Sequence, residues 1–414
     1  MPLKLAGQAT FPVDAAGDVE AVADFGEGYV GLVLATPAGD AHPRVRVVHV
    51  ERPAEVLFDL ELTHAATAGG NVDTLSMGDG MVVISLPTDD RVSGYLGPAA
   101  AVLQWDGVEL KEVGAWMELQ PTAQPADWEG MFIYHLVRGP GRDVYLVSRN
   151  FDVAVRRLRV STAGAISTIG TWGWVTRYRQ GGAAGHPFES SPAWGSVAYV
   201  GGKLHVFRYL GGSDGFDRFG RLSFRPDGSG AVWQQLDSRP VGLAGPVGPV
   251  VVRAGSVEVD YHDYRDYTSP TDQLTRHVRV VGSKVTAADS GKVHPLIPFG
   301  PGGYADRHLG EVDVSGHSPS ALPAGLAIQT RAPGGDALQG AIQVGLYGED
   351  VYLTFTTVGY LVAVQWAALA TGHIVLYGRD AGDGGTYSSH LYALRYVQAN
   401  TITAGGQSKK GYFS

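Results

Sequence analysis

"SVAYVGGKLHVFRYL", residues 196–210, joins two apolar, β-rich runs through the pair Gly201-Gly202. Alternating runs separated by two glycines are the signature of a tight β-hairpin. The stretch at 220–236, "GRLSFRPDGSGAVWQQL", repeats the pattern around Asp227-Gly228. Two such hairpins in succession make one four-stranded antiparallel unit. The phrase recurs along the chain. Its turn glycines align at Gly28, Gly80, Gly141, Gly202, Gly255, Gly348 and Gly372. Most successive pairs lie roughly 50–60 residues apart, the period of a propeller blade.

Five repeats read strand by strand. The first is "VEAVADF", "YVGLVLAT", "PRVRVVHV" and "EVLFDLEL". The second is "VDTLSM", "MVVISLPT", "AAAVLQW" and "ELKEVGAW". The third is "MFIYHLV", "DVYLVSR", "VRRLRVS" and "AISTIGTWGW". The fourth is the stretch already quoted, and the fifth is "GPVVVR", "SVEVDYH", "TRHVRVV" and "KVTAA". From Ser290 to Gly340 the pattern gives way to Pro, Gly and His, then resumes at "AIQVGLY". The predicted fold is all-β. It is a single propeller over 1–414 with seven four-stranded blades, six or eight being the alternatives. An irregular insertion holding part of a blade is expected around 290–340, and a mobile tail at 405–414.

The fourth repeat resembles a kelch-type blade. Gly201, Gly202, Gly211, Gly212, Phe224 and Trp233 carry the likeness, and "FRYLGG" departs from it, since kelch repeats place two glycines directly after the strand. The resemblance implies a propeller. It implies little about function, because kelch-like folds host both enzymes and scaffolds.

Composition narrows the class. The 414 residues include 58 Gly and 23 Pro, turn chemistry for many short strands. Only 18% are charged and the formal net charge is −9, so no basic stripe offers itself to a phosphate backbone and nucleic acid is excluded as the main partner. No cysteine is present, which removes disulfides, thiolate metal sites and a Cys nucleophile. The start, "MPLKLAGQATFPVD", has no apolar core of a secretory signal. Val351 to Gly378 is free of Asp, Glu, Lys and Arg, but Gln365, Thr371, Gly372 and His373 interrupt it. Its β-branched and aromatic residues predict buried strands rather than a membrane helix.

Strands in a blade are lettered a to d from the central channel outwards. The b–c loops are polar and acidic, and the reading brings them to one rim as a binding face. Its residues are Asp89, Asp90, Asp152, Asp214, Asp217, Asp380 and Asp383, with a dense fifth-repeat loop of Asp260, His262, Asp263, Tyr264, Arg265 and Asp266. Loop Tyr, Asp, His and Arg are common holders of sugars or protein surfaces, while Asp and Gly also simply make good turns. Asp214 with Asp217, or Asp380 with Asp383, offers hard oxygen ligands but matches no calcium-loop spacing, and no metal or cofactor is predicted.

Three motif matches fail on context. Gly26 to Gly31 fits G-x-G-x-x-G, and Gly211 to Gly215 fits G-x-S-x-G, yet each needs a helix behind it where a strand or hairpin is predicted. Asp227-Gly228 with Trp233 faintly matches a sialidase Asp-box, without the preceding Ser or Thr. The 13 His residues show no ligand-pair spacing. Trp105, Trp116, Trp172, Trp174 and Trp233 fall on outer strands, as inter-blade packing would have them.

Two function classes follow. The first expectation is a non-enzymatic structural propeller with no catalytic residues. It would be a virion component, such as a phage tail, fibre or spike subunit assembled in the host cytoplasm. Its partners would be neighbouring subunits and a host surface glycan, with no membrane insertion. The second is a carbohydrate-binding or glycan-hydrolysing propeller that uses the acidic rim.

Overall fold

The computed structural model describes residues 3–12, 18–35, 42–66, 72–90, 95–119, 134–149, 153–175, 196–211, 217–238, 244–253, 256–264, 273–281, 284–288, 312–313, 326–331, 341–346, 352–356, 361–369, 371–380, 388–396, 403–404 and 407–408. All regular elements among the described residues are β-strands, and they form seven sheets of three or more strands. Blade 1 is Asp18–Gly26, Tyr29–Ala35, Arg44–His49 and Phe58–Glu61. Blade 2 is Asp73–Gly78, Met81–Asp90, Tyr95–Trp105 and Leu110–Glu118. Blade 3 is Tyr134–Arg138, Asp143–Arg149, Val153–Val160 and Ile166–Trp174. Blade 4 is Ser196–Val200, Lys203–Gly211, Asp217–Phe224 and Val232–Gln235. Blade 5 is Ala244–Arg253, Ser256–Tyr264, Gln273–Val281 and Lys284–Ala288. Each pairs in the simple order a-b-c-d.

Blade 6 has three strands, Leu326–Arg331, Ala341–Leu346 and Tyr352–Thr356. Its first strand therefore lies inside the stretch where the repeat was lost. Gly348 falls between the second and third strands, so it does not mark an a–b turn as the alignment supposed. That is why it sits so close to Gly372, which does mark one. Blade 7 takes Leu361–Ala368, His373–Asp380 and Ser388–Tyr396 from the C-terminal part of the chain. Its outermost strand is Leu3–Pro12, paired antiparallel from Leu3↔Tyr396 to Pro12↔Ser388. The charge-free stretch at 351–378 is thus strands, and no helix among the described residues is long and apolar enough to cross a membrane. Val312–Asp313 adds a short parallel strand on the inner edge of blade 7. Gln407–Ser408, within the predicted tail, pairs with Thr403–Ala404.

The a–b turns explain the repeated glycines. In blades 1, 2 and 4 two residues link the paired positions Gly26↔Tyr29, Gly78↔Met81 and Val200↔Lys203. Both linking residues have positive φ: Glu27 53° and Gly28 86°, Asp79 54° and Gly80 74°, Gly201 60° and Gly202 80°. These are type I′ geometries, whose twist matches that of the flanking strands. A strand, not a helix, follows Gly26 to Gly28, so no dinucleotide site exists there. Gly80 is bound twice over, because its carbonyl accepts the Trp105 N–H at 2.9 Å and a Cβ on it would lie 2.1 Å from the Trp105 oxygen. Gly80→Ala is expected to destabilise the protein by on the order of 2–3 kcal/mol, from left-handed strain and forced backbone separation. Thermal or urea unfolding checks it, and an unchanged midpoint would refute the account.

Blades 7, 1, 2, 3 and 4 stack face to face, so their inner strands bury both sides while the outer strands are half-exposed. In blade 2, Val82, Ile84 and Leu86 enter the core shared with blade 1, together with Ala23, Phe25, Val45 and Val47. Met81 and Val83 enter the core shared with blade 3, beside Leu136, Val144 and Leu146. Alternate residues thus serve two different cores, which is why Met81 to Ile84 is apolar without a break. Equivalent cores join blade 3 to blade 4 through Tyr145, Val206 and Phe224, and blade 7 to blade 1 through Phe11, Leu32 and Val375. Trp105, Trp116, Trp172, Trp174 and Trp233 all pack at these junctions.

Candidate functional site

The ladder registers locate part of the predicted rim. Asp89 and Asp90 pair with Leu96 and Tyr95 at the b–c end of blade 2. Asp217 pairs with Gly211 at the same end of blade 4. Asp380 ends strand b of blade 7, opposite Leu361. In blade 5 strand b runs on to Tyr264, so Asp260, His262, Asp263 and Tyr264 are ladder residues, opposite His277, Thr275, Leu274 and Gln273. The hairpin tip predicted from Asp260 onward is shorter than the sequence suggested, and Asp260 is set back from it by four positions. Asp152, Asp214, Arg265, Asp266 and Asp383 lie outside the described residues.

Two polar clusters that the sequence reading missed reach the same end of the blades. The first is at the channel. Asp73 opens strand a of blade 2 and is buried at 4% exposure. Its Oδ1 accepts the Thr74 N–H at 2.9 Å, and its Oδ2 accepts the Leu136 N–H at 2.6 Å. The Nδ1 of His135, itself buried, lies 3.1 Å from the same Oδ2. The Thr74 hydroxyl donates to the Val22 carbonyl at 2.8 Å, so the inner strands of blades 1, 2 and 3 are sewn together here. Farther along, the Arg138 guanidinium donates to the Ser76 carbonyl at 3.1 Å. Contacts that advance together along both strands mean that the inner strands of blades 2 and 3 run parallel, which keeps their b–c ends on one side.

The second cluster lies at the outer junction of blades 1 and 2. The Glu112 carboxylate accepts the Thr63 N–H at 2.8 Å, the Thr63 hydroxyl at 2.6 Å and the Trp116 indole N–H at 3.0 Å. The His64 ring stacks on Trp116, with centroids 5.0 Å apart and planes at 19°. His64 Nε2 sits 3.3 Å from Glu118 Oε1, and the Thr88 hydroxyl reaches Glu118 Oε2 at 3.4 Å. Thr88 immediately precedes Asp89 and Asp90. The cluster therefore runs along the outer junction, from Glu112, opposite Leu103 near the c–d turn, through Trp116 and His64 to Glu118, opposite Ala99 toward the b–c end of blade 2. The link between Thr63 and Glu112 spans two repeats, and no local spacing would have announced it.

A third buried group sits on strand b of blade 4. Arg208 is 3% exposed, and burial pushes its guanidinium down to about 10. It lies three residues before Gly211, the partner of Asp217. Among the described residues no group of three or more His, Asp or Glu could hold a metal ion.

Seven sheets, those of blades 7, 1, 2, 3 and 4 stacked through shared cores, with Leu3–Pro12 completing the last blade, define a β-propeller. No protein-family model matches the chain, and no curated protein matches it. Among solved structures it is similar to the β-propeller domain of the Trilobed protease from Pyrococcus furiosus, which has an open velcro topology. That likeness has a TM-score of 0.46 at 9% identity, over 91% of this chain and 93% of the other. It is also similar to the α-L-arabinanase of Penicillium chrysogenum (TM-score 0.41, 10% identity, 77% of this chain and 92% of the other). A third is the α-L-arabinofuranosidase Arb93A of Fusarium graminearum (TM-score 0.38, 11% identity, 78% and 92%).

These likenesses are of fold alone, and they narrow the kelch resemblance to the propeller architecture itself. They also correct one expectation. The chain was read as a non-enzyme for want of a recognisable catalytic set, yet the similar structures are mainly glycoside hydrolases. A propeller of this kind is no argument against catalysis, and the non-enzymatic reading is withdrawn.

Proposed function

We propose that this protein recognises a carbohydrate across the b–c face of its propeller, with the outer junction of blades 1 and 2 at the centre of the site. The observation that carries the reading is the line of Glu112, Trp116, His64 and Glu118 along this junction, which ends at Glu118 with Thr88, the residue before the Asp89 and Asp90 positions. Carboxylates accept hydrogen bonds from sugar hydroxyls, and aromatic rings receive the apolar faces of pyranose or furanose rings. Glu112 has its acceptors occupied within the junction. Glu118, with a side chain 54% exposed and only the longer contacts to His64 and Thr88, is the carboxylate of the cluster open to a ligand. Paired carboxylates are also what glycoside hydrolysis requires, so the same site is compatible with turnover.

A glycan array on the full chain, followed by a hydrolysis assay on each hit, tests this. At least one glycan class is expected to bind. Glu118→Gln and the double variant Asp89→Asn with Asp90→Asn should each weaken binding tenfold or more without moving the melting temperature. Turnover of a bound glycan would make the protein a hydrolase, and binding alone would make it lectin-like. Silence on both would overturn the reading and favour a rim turned toward neighbouring subunits of an assembly.

A further inference from the structure

We propose a second binding site on the opposite end of the propeller: a cationic cleft between blades 3 and 4 that takes a tetrahedral oxyanion, a phosphate or sulfate ester of a small molecule. The cleft has a volume of about 390 Å³ and is lined by Arg157, Gly201, Gly202, Lys203, Arg225, Pro226 and Asp227. Its cations come from three separate elements. Arg157 is on strand c of blade 3, Lys203 follows the a–b turn of blade 4, and Arg225 begins that blade's c–d turn. The a–b and c–d turns lie at the end away from the b–c rim, so this site and the carbohydrate site proposed above are separate.

The charge balance favours an anion. Asp143, buried at 2% exposure, serves two guanidinia at once. Arg157 reaches its Oδ2 at 2.5 Å and Arg159 its Oδ1 at 2.8 Å. Burial pushes the Asp143 carboxyl up, but the hydrogen bonds from Arg159 and Arg157 outweigh it and hold the group below its ordinary value. One carboxylate against two cations leaves a positive charge over at the cleft wall. Lys203 and Arg225 have no ion pair among the described residues. Asp227, the acid in the lining, is held below its ordinary carboxylate value by hydrogen bonds from Ser229, its Oδ1 accepting that N–H at 2.9 Å, and to a lesser degree by the Arg225 charge, so one acid faces three cations. This concentration stands out on a chain whose net charge is −9.

The walls are fixed before any ligand arrives. The Asp227-Gly228 turn docks backbone to backbone on blade 3, since a Cβ on Gly173 would lie 2.3 Å from the Asp227 oxygen. On the other side Gly201 and Gly202 present bare backbone, with open space where side chains would be. Fixed walls lower the ordering cost of binding. Cations converging from three directions suit a group with three free oxygens better than a planar carboxylate, which a single arginine satisfies bidentately.

Titration calorimetry on the full chain tests the proposal with four probes: inorganic phosphate, a hexose 1-phosphate, a sulfated disaccharide and acetate. Binding by one of the two ester probes, weakened as salt is raised, is the expected result, and the probe that binds identifies the source of the oxyanion. Lys203→Gln and Arg225→Gln should each reduce that affinity about tenfold while leaving folding unchanged, because both side chains are exposed. These variants should also leave glycan binding at the rim untouched. Acetate binding as tightly as the esters, affinity unchanged in both variants, or no heat from any probe at millimolar concentration would each overturn it.

Discussion

Deleting residues 1–12 is expected to abolish cooperative folding of the propeller, or at the least to lower its melting temperature by about 10 °C or more. The deletion removes the whole outer strand of blade 7. Its backbone ladder with Ser388–Tyr396 is lost, and each net hydrogen bond there is worth about 0.5–1.5 kcal/mol. Ala9 and Phe11, at 7% and 8% exposure, leave the core between blades 7 and 1. Removing a buried Phe side chain alone costs about 3–5 kcal/mol. The sum rivals the roughly 5–15 kcal/mol that separates a folded domain from its unfolded chain. Ser388–Tyr396 is also left as an unpaired edge, a template for aggregation.

A permutant separates loss of the strand from mere loss of residues. Leu3 lies opposite Tyr396, so a short turn placed after Tyr396 and followed by residues 3–12 would make an ordinary c–d hairpin. That permutant should recover the wild-type melting temperature. A truncated chain that unfolds at the wild-type midpoint would show that Leu3–Pro12 does not close the ring.

The closing strand marks the limit of what pattern reading can reach. Hairpins were legible because the partners of each strand are its neighbours in sequence, and because Gly28, Gly80 and Gly202 occupy turn positions that demand positive φ. The stretch "PRVRVVHV" was legible as a strand, and its alternation is that of Arg44–His49, where Val45 and Val47 enter the core. Leu3–Pro12, by contrast, finds its partner at the far end of the chain, and nothing local declares that. Leu326–Arg331 was hidden for a related reason, since residues 332–340 separate it in sequence from the strand it pairs with. The rim was legible only as a list of acidic loops. What gives the candidate site its chemistry is contact between blades. Thr63 with Glu112, His64 with Trp116 and Asp73 with His135 each join residues about a repeat apart, brought together by stacking of sheets rather than by any motif.

Asp73 carries the other large effect. Asp73→Ala is expected to cost on the order of 4 kcal/mol, because it removes a buried acceptor and strands the groups that pointed at it. The Leu136 N–H would be left without the acceptor it now reaches at 2.6 Å, and an unsatisfied buried donor costs about 1–3 kcal/mol by itself. His135, at 6% exposure, would face the cavity with its nearest anion gone. Because the carboxylate bridges the inner strands of blades 2 and 3, the damage should appear as faster unfolding and not only as a lower midpoint. Asp73→Asn keeps an acceptor oxygen of the same shape and removes the charge. It should recover about half of the loss, since one acceptor oxygen survives while the other is replaced by an amide that donates. Urea unfolding of the two variants, read for both midpoint and rate, decides the matter. If alanine and asparagine were equally harmless, within about 1 kcal/mol of the wild type, the pair would be a bystander, and blades 2 and 3 would be held by their apolar core alone.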